Sequence, residues 1–213
     1  SVTLRSRGAI DFVGNVDVSL DHALELSAPV LASDGGQVTV EAGTLRLGNT
    51  LGSQDGSFVA GDGSFAAQAN EMDFGPGNTT LQGFGSFAAT ARQGMVGQGT
   101  GGVDFGSLDV HLQTPILIAD SGADTSLTTT GAMTIAPGAG SALQRDAMGG
   151  ALALQAGSLA VGSTLQAAAG NLNLTATSGN IDLLSGSRAD TAGVNKTFFD
   201  TQTYAPGGAL TLS

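Results

Sequence analysis

The feature that most constrains this sequence is an internal repeat with a period of about 20 residues. The pattern glycine, any residue, apolar, any residue, apolar begins at Gly131, Gly150, Gly170 and Gly208. The last step is about twice as long as the others, and we interpret it as one skipped copy. A second motif, Gly63-Ser64-Phe65-Ala66-Ala67, returns in the segment that begins at Gly85. A fixed period of this length is typical of a solenoid, in which each repeat forms one coil that stacks on the previous coil.

Apolar and small polar residues alternate inside each period. The segments Asn171-Leu172-Asn173-Leu174-Thr175 and Gln37-Val38-Thr39-Val40 both follow this pattern. Strict alternation marks a strand with one buried face, and about three such strands fit into each period. The sequence therefore predicts an all-β chain that forms a parallel β-helix of roughly ten coils of about 20 residues, in one segment over residues 1–213.

An antiparallel meander is the alternative that the same alternation allows. It would place two-residue turns of the Asn-Gly or Asp-Gly type between longer strands. The candidates are Asp34-Gly35, Asp55-Gly56 and Asp62-Gly63, which are few and do not follow the period. Stacked coils also place like residues above like, so Phe65, Phe84 or Phe87, and Phe105 are expected to form an internal aromatic stack.

Charge excludes two classes of partner. The formal net charge is −11, and only seven Lys and Arg residues are scattered along the chain. Because no basic stripe is available to neutralise phosphates, we expect neither nucleic acid nor an anionic membrane surface as a partner. The longest apolar run, near Pro115 to Ala119, is too short to span a bilayer, so no membrane insertion is expected.

The acidic residues do not form a convincing catalytic or metal-binding pattern. One group, Asp11, Asp17, Asp21 and Glu25, is spaced far more closely than one coil. The other group contains Asp104, Asp109, Asp120 and Asp124. Glycoside hydrolysis needs two carboxylates that converge on one bond, and the aromatic residues that line sugar clefts are scarce here. We therefore predict no catalytic residues, no cofactor, no metal site and no enzymatic activity.

Several short motifs have simple structural interpretations. Asp73-Phe74-Gly75 and Asp104-Phe105-Gly106 resemble the metal-binding tripeptide of kinases, but we expect Phe inside with Asp and Gly at a corner. Leu108-Asp109-Val110 matches an integrin-binding tripeptide, yet its two apolar residues are expected to be buried. The two histidines, His22 and His111, are too few for a zinc site, and His111 is expected to face solvent.

Three Asn-x-Thr acceptor sequences, starting at Asn78, Asn173 and Asn195, leave glycosylation open.

The segment from position 186 to position 207 breaks the regular period. It contains the only Lys and the only Tyr of the chain, Lys196 and Tyr204. Loops on a rigid scaffold commonly carry recognition, so these two residues are a candidate contact loop. The interpretation we favour from the sequence is one more coil, with Phe198 or Phe199 inside and Ala205-Pro206-Gly207 turning the chain.

The C-terminal repeats resemble a known family. The residues Gly-Asn-Leu-Asn-Leu-Thr-Ala at 170–176 and Gly179-Asn180-Ile181-Asp182-Leu183 are similar to haemagglutinin-type adhesin repeats. Such repeats form the shafts of exoproteins of bacterial two-partner secretion that are related to filamentous haemagglutinin. The segments Asn195-Lys196-Thr197-Phe198-Phe199-Asp200 and Tyr204-Ala205-Pro206-Gly207-Gly208 are similar to stretches in large members of that group.

This resemblance implies a right-handed β-helix and export through a dedicated outer-membrane secretion pore. It also implies a secreted protein at the bacterial cell surface, of which this chain is an internal fragment. The implied function is a structural shaft and adhesive surface. Its partners would be a host-cell surface glycan or protein, or other bacterial cells. The alternative function is a β-helical carbohydrate-binding or carbohydrate-active module.

Overall fold

The predicted solenoid is present in the computed structural model, which describes residues 1–51 and 59–213. The Asp55-Gly56 turn candidate lies outside the described residues. The strands of the N-terminal half are β1 (Val2–Arg5), β2 (Ala9–Phe12), β3 (Val16–Ser27), β4 (Val30–Ser33), β5 (Gln37–Gly48), β6 (Val59–Phe74), β7 (Gly77–Gly97), β8 (Thr100–Asp104) and β9 (Asp109–Thr114).

The strands of the C-terminal half are shorter and more regular. They are β10 (Ile116–Ala119), β11 (Asp124–Thr128), β12 (Ala132–Pro137), β13 (Ala151–Ala156), β14 (Ser158–Val161), β15 (Thr164–Gln166), β16 (Asn171–Ala176), β17 (Ile181–Leu183), β18 (Arg188–Asp190), β19 (Val194–Phe198), β20 (Thr201–Ala205) and β21 (Ala209–Leu212). No helix occurs among the described residues, and so none of them forms a helix able to cross a bilayer.

Nineteen strands form one continuous sheet in which every described pairing is parallel. The sheet winds into three faces. Face 1 contains β2, β4, the start of β7, β8, β11, β13, β16 and β21. Face 2 contains the first part of β3 and β5, the middle of β6 and β7, then β9, β12, β14 and β17. Face 3 contains β1, the ends of β3, β5, β6 and β7, then β10, β15 and β18.

The solenoid has about eight turns, which corrects the prediction of roughly ten. One reason is that many coils are longer than the repeat indicates: Leu152 pairs with Leu172, but Val38 pairs with Phe65. The other reason is that some residues lie outside the stacked coils. On face 1, β4 pairs directly with β7, and on face 3, β10 pairs directly with β15.

The core consists of inward-facing ladders, in which each residue lies above its equivalent in the previous coil. On face 1, Leu127, Leu154 and Leu174 occupy successive rungs and are fully buried. The predicted aromatic stack is confirmed in the core, where Phe65 and Phe87 are in register on face 2 and Phe105 lies at the corner before β9. The Phe65 and Phe87 rings are stacked with centroids 5.3 Å apart, and the Phe105 centroid lies 4.8 Å from that of Phe87.

Three of the four glycines of the repeat, Gly150, Gly170 and Gly208, stack at the corner before face 1, whereas Gly131 lies at the corner before β12 on face 2. A Cβ atom on Gly170 would lie 1.9 Å from the carbonyl oxygen of Gly150, and one on Gly208 would lie 1.5 Å from that of Gly170. These distances are far below van der Waals contact, so no larger residue fits this backbone approach. In the C-terminal coils, the repeated glycine therefore marks the tightest corner of the coil.

Replacing a ring in the aromatic stack should destabilise the solenoid strongly. Phe87→Ala removes a buried ring that contacts two others, so we expect the free energy of unfolding to fall by about 3–5 kcal/mol. The matched control is Phe199→Ala, because Phe199 is fully exposed and its loss should cost less than about 0.5 kcal/mol. Urea unfolding measures both, and equal losses would contradict a core built on this stack.

Candidate contact surface

The segment between β18 and β21 is a hairpin that stands out from the coils. Strands β19 and β20 pair antiparallel, from Val194 opposite Ala205 to Phe198 opposite Thr201. They form a separate two-stranded sheet. The interpretation as one more coil is therefore wrong, because the long step from Gly170 to Gly208 holds one coil plus this insertion.

The hairpin is closed at its base and sharply turned at its tip. At the base, a Cβ atom on Gly193 would lie 2.6 Å from the carbonyl oxygen of Ala205, so the two strands approach closely there. At the tip, Phe199 and Asp200 form the turn, and Phe199 has a φ of 55°. The Phe199 side chain is fully exposed, which contradicts its expected place inside the solenoid. The side chain of Phe198 lies outside the described part of the structure.

The two predicted contact residues lie on opposite faces of the hairpin. Asn195 pairs with Tyr204 and Lys196 pairs with Thr203, and neighbouring residues of a strand point to opposite sides. Tyr204 is 68% exposed, and its hydroxyl donates a hydrogen bond to Oε1 of Gln202 at 2.6 Å. Lys196 is half-buried and forms an ion pair with Asp146. The outward face of the hairpin therefore carries Tyr204, and Lys196 anchors the other face.

Asp146 belongs to a second insertion, residues 138–149, which we call the strap. It follows β12 and lies across the outer side of face 3 instead of adding a strand to that face. Its side chains alternate: Leu143, Arg145 and Ala147 are partly or fully buried against the solenoid, whereas Gln144 and Asp146 are exposed. The strap thus has the period of a strand although it pairs with none among the described residues.

Arg145 ties the strap to two coils. Its guanidinium forms an ion pair with Glu71 on β6 and another with Asp120, the residue after β10, at 3.0 Å. Leu143 packs with Ile116, Ile118 and Ala147 in a small apolar cluster separate from the main core. The strap was not predicted from the sequence, because the alternation Leu143-x-Arg145-x-Ala147 is also the pattern of an ordinary strand.

A buried acid lies beside this strap. Asp73 is in register with Arg46 on one side and Val96 on the other, and its side chain is 1% exposed. Arg46 donates to its Oδ2 at 2.7 Å, whereas Oδ1 has no hydrogen-bond partner. Burial, with a smaller contribution from the Glu71 carboxylate, raises the pKa of Asp73 to about 6 against the lowering effect of Arg46. The expectation that Asp73 lies at a corner is therefore wrong.

The other short motifs lie where the sequence predicted. Phe74 and Phe105 are buried, and the Asp104 carboxylate accepts a hydrogen bond from the Gly106 amide at 2.8 Å at a corner. Asp109 is exposed between two buried residues, and its carboxylate accepts a bond from a backbone amide of the next coil. The two histidines and the three Asn-x-Thr asparagines are all exposed, namely His22, His111, Asn78, Asn173 and Asn195.

The acidic groups do not gather into a metal site. In residues 1–51 and 59–213, no set of three or more His, Asp or Glu side chains is placed to hold a cation. A shallow groove of about 270 Å³ does open on the outer side of face 1. It is lined by Asn78, Thr80, Gly102, Val103, Asp104, Ser126 and Thr128. Its polar groups are one carboxylate, hydroxyls and an amide, and Val103 adds apolar surface.

Comparison of the chain with protein-family models, with curated proteins and with solved structures found no match. The fold and the geometry described above are therefore the basis for a functional proposal.

Asp73 should make stability depend on pH in a defined direction. Because its pKa is raised from 3.8 to about 6 in the folded state, its contribution is fully present below pH 4 and is lost as the pH rises through 6. We expect the free energy of unfolding to fall by roughly 1–2 kcal/mol from this residue between pH 5 and pH 7.5.

Chemical unfolding of the natural chain and of Asp73→Asn at several pH values measures this contribution as a difference. Asp17→Asn is the matched control, because Asp17 is exposed on face 2. An Asp73→Asn variant with the same pH profile as the natural chain would contradict the assignment.

Proposed function

We propose that this chain is a segment of the shaft and adhesive surface of a secreted bacterial filamentous adhesin of the two-partner secretion type. The single observation that carries the proposal is the hairpin of β19 and β20, which projects exposed aromatic side chains from a stiff solenoid. The haemagglutinin-like repeats at 170–176 and 179–183 support the class. In that class the chain would cross the outer membrane through a secretion pore and act at the cell surface.

Stiffness follows from the continuous sheet. Nineteen strands are joined by backbone hydrogen bonds along all three faces, and the core ladders are nearly free of solvent. Bending the rod would open hydrogen bonds and separate packed side chains at the same time. A structure of this kind holds a contact element at a fixed distance from its anchor, which is the mechanical task of a shaft.

The hairpin is the best contact element because of its side chains. Of the aromatic side chains that the structure describes, six Phe residues are buried and only Phe199 and Tyr204 are exposed. Aromatic residues contribute a large share of the binding energy at protein interfaces and also stack on sugars. Exposed aromatics on a projecting turn therefore favour recognition of a surface glycan or protein, and we propose a host or neighbouring bacterial cell as its source.

Removing both exposed aromatics should weaken attachment without changing the solenoid. For the variant Phe199→Ser with Tyr204→Ser, we expect binding of the labelled chain to intact cells to fall at least about tenfold, because each aromatic anchor typically contributes more than about 1 kcal/mol. Flow cytometry with a concentration series of the labelled chain measures this binding. The matched control is Val13→Ser, which removes an exposed apolar side chain far from the hairpin in sequence.

Unchanged binding by the double variant, with its unfolding curve preserved, would place the adhesive surface elsewhere. Binding lost equally in the Val13→Ser control would point to nonspecific apolar adsorption.

The groove on face 1 favours a second candidate function, a carbohydrate-binding or carbohydrate-active module. Its hydroxyl and amide groups suit hydrogen bonding to sugars. Asp104 is the only carboxylate in its lining, and hydrolysis needs two, so this groove supports binding better than catalysis. A glycan array with the natural chain and with Ser126→Val separates the candidates, since groove binding is lost in this variant and hairpin binding is retained.

A further inference from the structure

The floor beneath the strap is unusual for the outside of a solenoid. Val96 and Ile118 are in register on the outward side of face 3, and both are fully buried. Ile116, which precedes Ile118 on the same side of β10, is also buried and packs against Leu143. Elsewhere on face 3 the outward row carries polar residues, including Glu25, Arg46 and Gln166. Val96, Ile116 and Ile118 are thus the large apolar residues on the outward side of face 3, and Leu143 and Ala147 of the strap pack on the two isoleucines.

Acidic side chains border this apolar floor. Glu71 and Asp120 lie on either side and share Arg145 of the strap as their cation. Asp73 lies next to Val96 in register and is paired with Arg46. We call the floor of Val96, Ile116 and Ile118, with Glu71 and Asp120 at its border, the strap groove. Without the strap it would be an apolar strip with two unpaired carboxylates.

The solenoid does not need the strap for its continuity. Strand β10 pairs with β7 on one side and with β15 on the other, so the backbone ladder of face 3 is complete beneath the strap. The strap backbone makes few bonds to the coils. These are the Leu143 amide to the Gln93 carbonyl at 2.7 Å, the Gly149 amide to the Ala168 carbonyl at 2.9 Å, the Gly122 amide to the Met148 carbonyl at 3.3 Å, and the Met148 amide to the Ser121 hydroxyl at 3.2 Å.

Segments with few backbone bonds and surface side-chain contacts open at lower free energy than a core ladder. At the start of the strap, Gly138 and Gly140 pack tightly against Pro115 and the Arg92 carbonyl, and at its end Gly149 has a φ of 72°. Opening would therefore move the residues between these glycines, 141–148, and leave β10 in place.

We propose that the strap groove is a docking site for an extended basic–apolar segment of another protein, and that the strap occupies it in cis until such a segment replaces it. The chemistry of the occupant follows from the groove. It needs an apolar residue over Ile116, a basic residue two positions later between Glu71 and Asp120, and a small apolar residue two positions after that. Charge complementarity favours a foreign segment, because this chain carries a net charge of −11 and is poor in basic residues.

Displacement would also act on the hairpin. Asp146, which points away from the groove, is the ion-pair partner of Lys196 on the half-buried face of the hairpin. A bound segment that lifts the strap removes this anchor. The docking site is independent of the adhesive function proposed above, since the groove can bind its partner whether or not the hairpin binds cells.

A peptide that copies the strap tests the proposal directly. The probe is a fluorescent peptide of residues 140–149, and the control probe carries Arg145→Glu. The acceptor is the full chain in which residues 141–147 are replaced by an equally long Gly-Ser sequence. We expect the probe to bind this acceptor saturably. It should bind the natural chain, whose groove is occupied, at least tenfold more weakly. The control probe should also bind the Gly-Ser acceptor at least tenfold more weakly.

Two acceptor variants locate the binding. Glu71→Gln with Asp120→Asn, made in the Gly-Ser chain, should weaken probe binding at least tenfold, because both partners of the basic residue lose their charge. The matched control Asp124→Asn changes an exposed acid on face 1 and should leave the affinity unchanged. Absence of probe binding to a folded Gly-Ser chain overturns the proposal.

Hydrogen exchange on the natural chain keeps the proposal testable if the Gly-Ser chain does not fold. The amides of Leu143 and Met148, which donate hydrogen bonds to the coils, should exchange at least a hundredfold faster than those of Leu117 and Ile118 in β10. If both segments exchange at the same rate as global unfolding, the strap never opens alone, and the proposal is overturned. A natural chain that dimerises in sedimentation, and whose dimer the probe dissociates, would identify a second copy as occupant and also overturn it.

Discussion

The structure depends on one interaction, the parallel backbone ladder that joins each coil to the next on three faces. Once the backbone hydrogen bonds of this ladder are formed and the inward side chains are packed, the fold places almost no constraint on the outward residues. The tight corner at Gly150, Gly170 and Gly208 is the exception, because the backbones approach too closely there for any Cβ atom. The glycines at this corner therefore follow from the fold, and the outward part of the sequence is free to vary and to carry insertions.

The same ladder explains where insertions occur. Strand β4 pairs directly with β7 on face 1, and β10 pairs directly with β15 on face 3. In both places the paired strands do not come from successive turns of the chain. The hairpin is added at a corner between face 3 and face 1 and displaces no strand. In each case backbone hydrogen bonding stays complete, so an insertion costs little more than the entropy of closing its loop.

The sequence predicted the fold well because period and alternation are direct consequences of stacking. The Phe65, Phe87 and Phe105 stack could be predicted for the same reason. The number of turns and the presence of the hairpin could not be predicted. The double-length step in the repeat is compatible with two coils and equally with one coil that carries an insertion. Alternation in β19 and β20 is the same in a parallel and an antiparallel pair. The strap could not be assigned because Leu143-x-Arg145-x-Ala147 has the pattern of a strand, and only the neighbours decide whether a strand joins the ladder.

The contact between hairpin and strap decides how rigidly the aromatic tip is held. Lys196 and Asp146 form the ion pair between them, and the Asp146 side chain is 80% exposed. Exposed ion pairs contribute about 0–1 kcal/mol, so this one biases the orientation of the hairpin without fixing it. The close approach at Gly193 fixes its base. Under the proposed adhesive function, the solenoid would set the distance to a cell surface, and a hairpin held by a weak ion pair above a fixed base would adjust the angle of its aromatic turn.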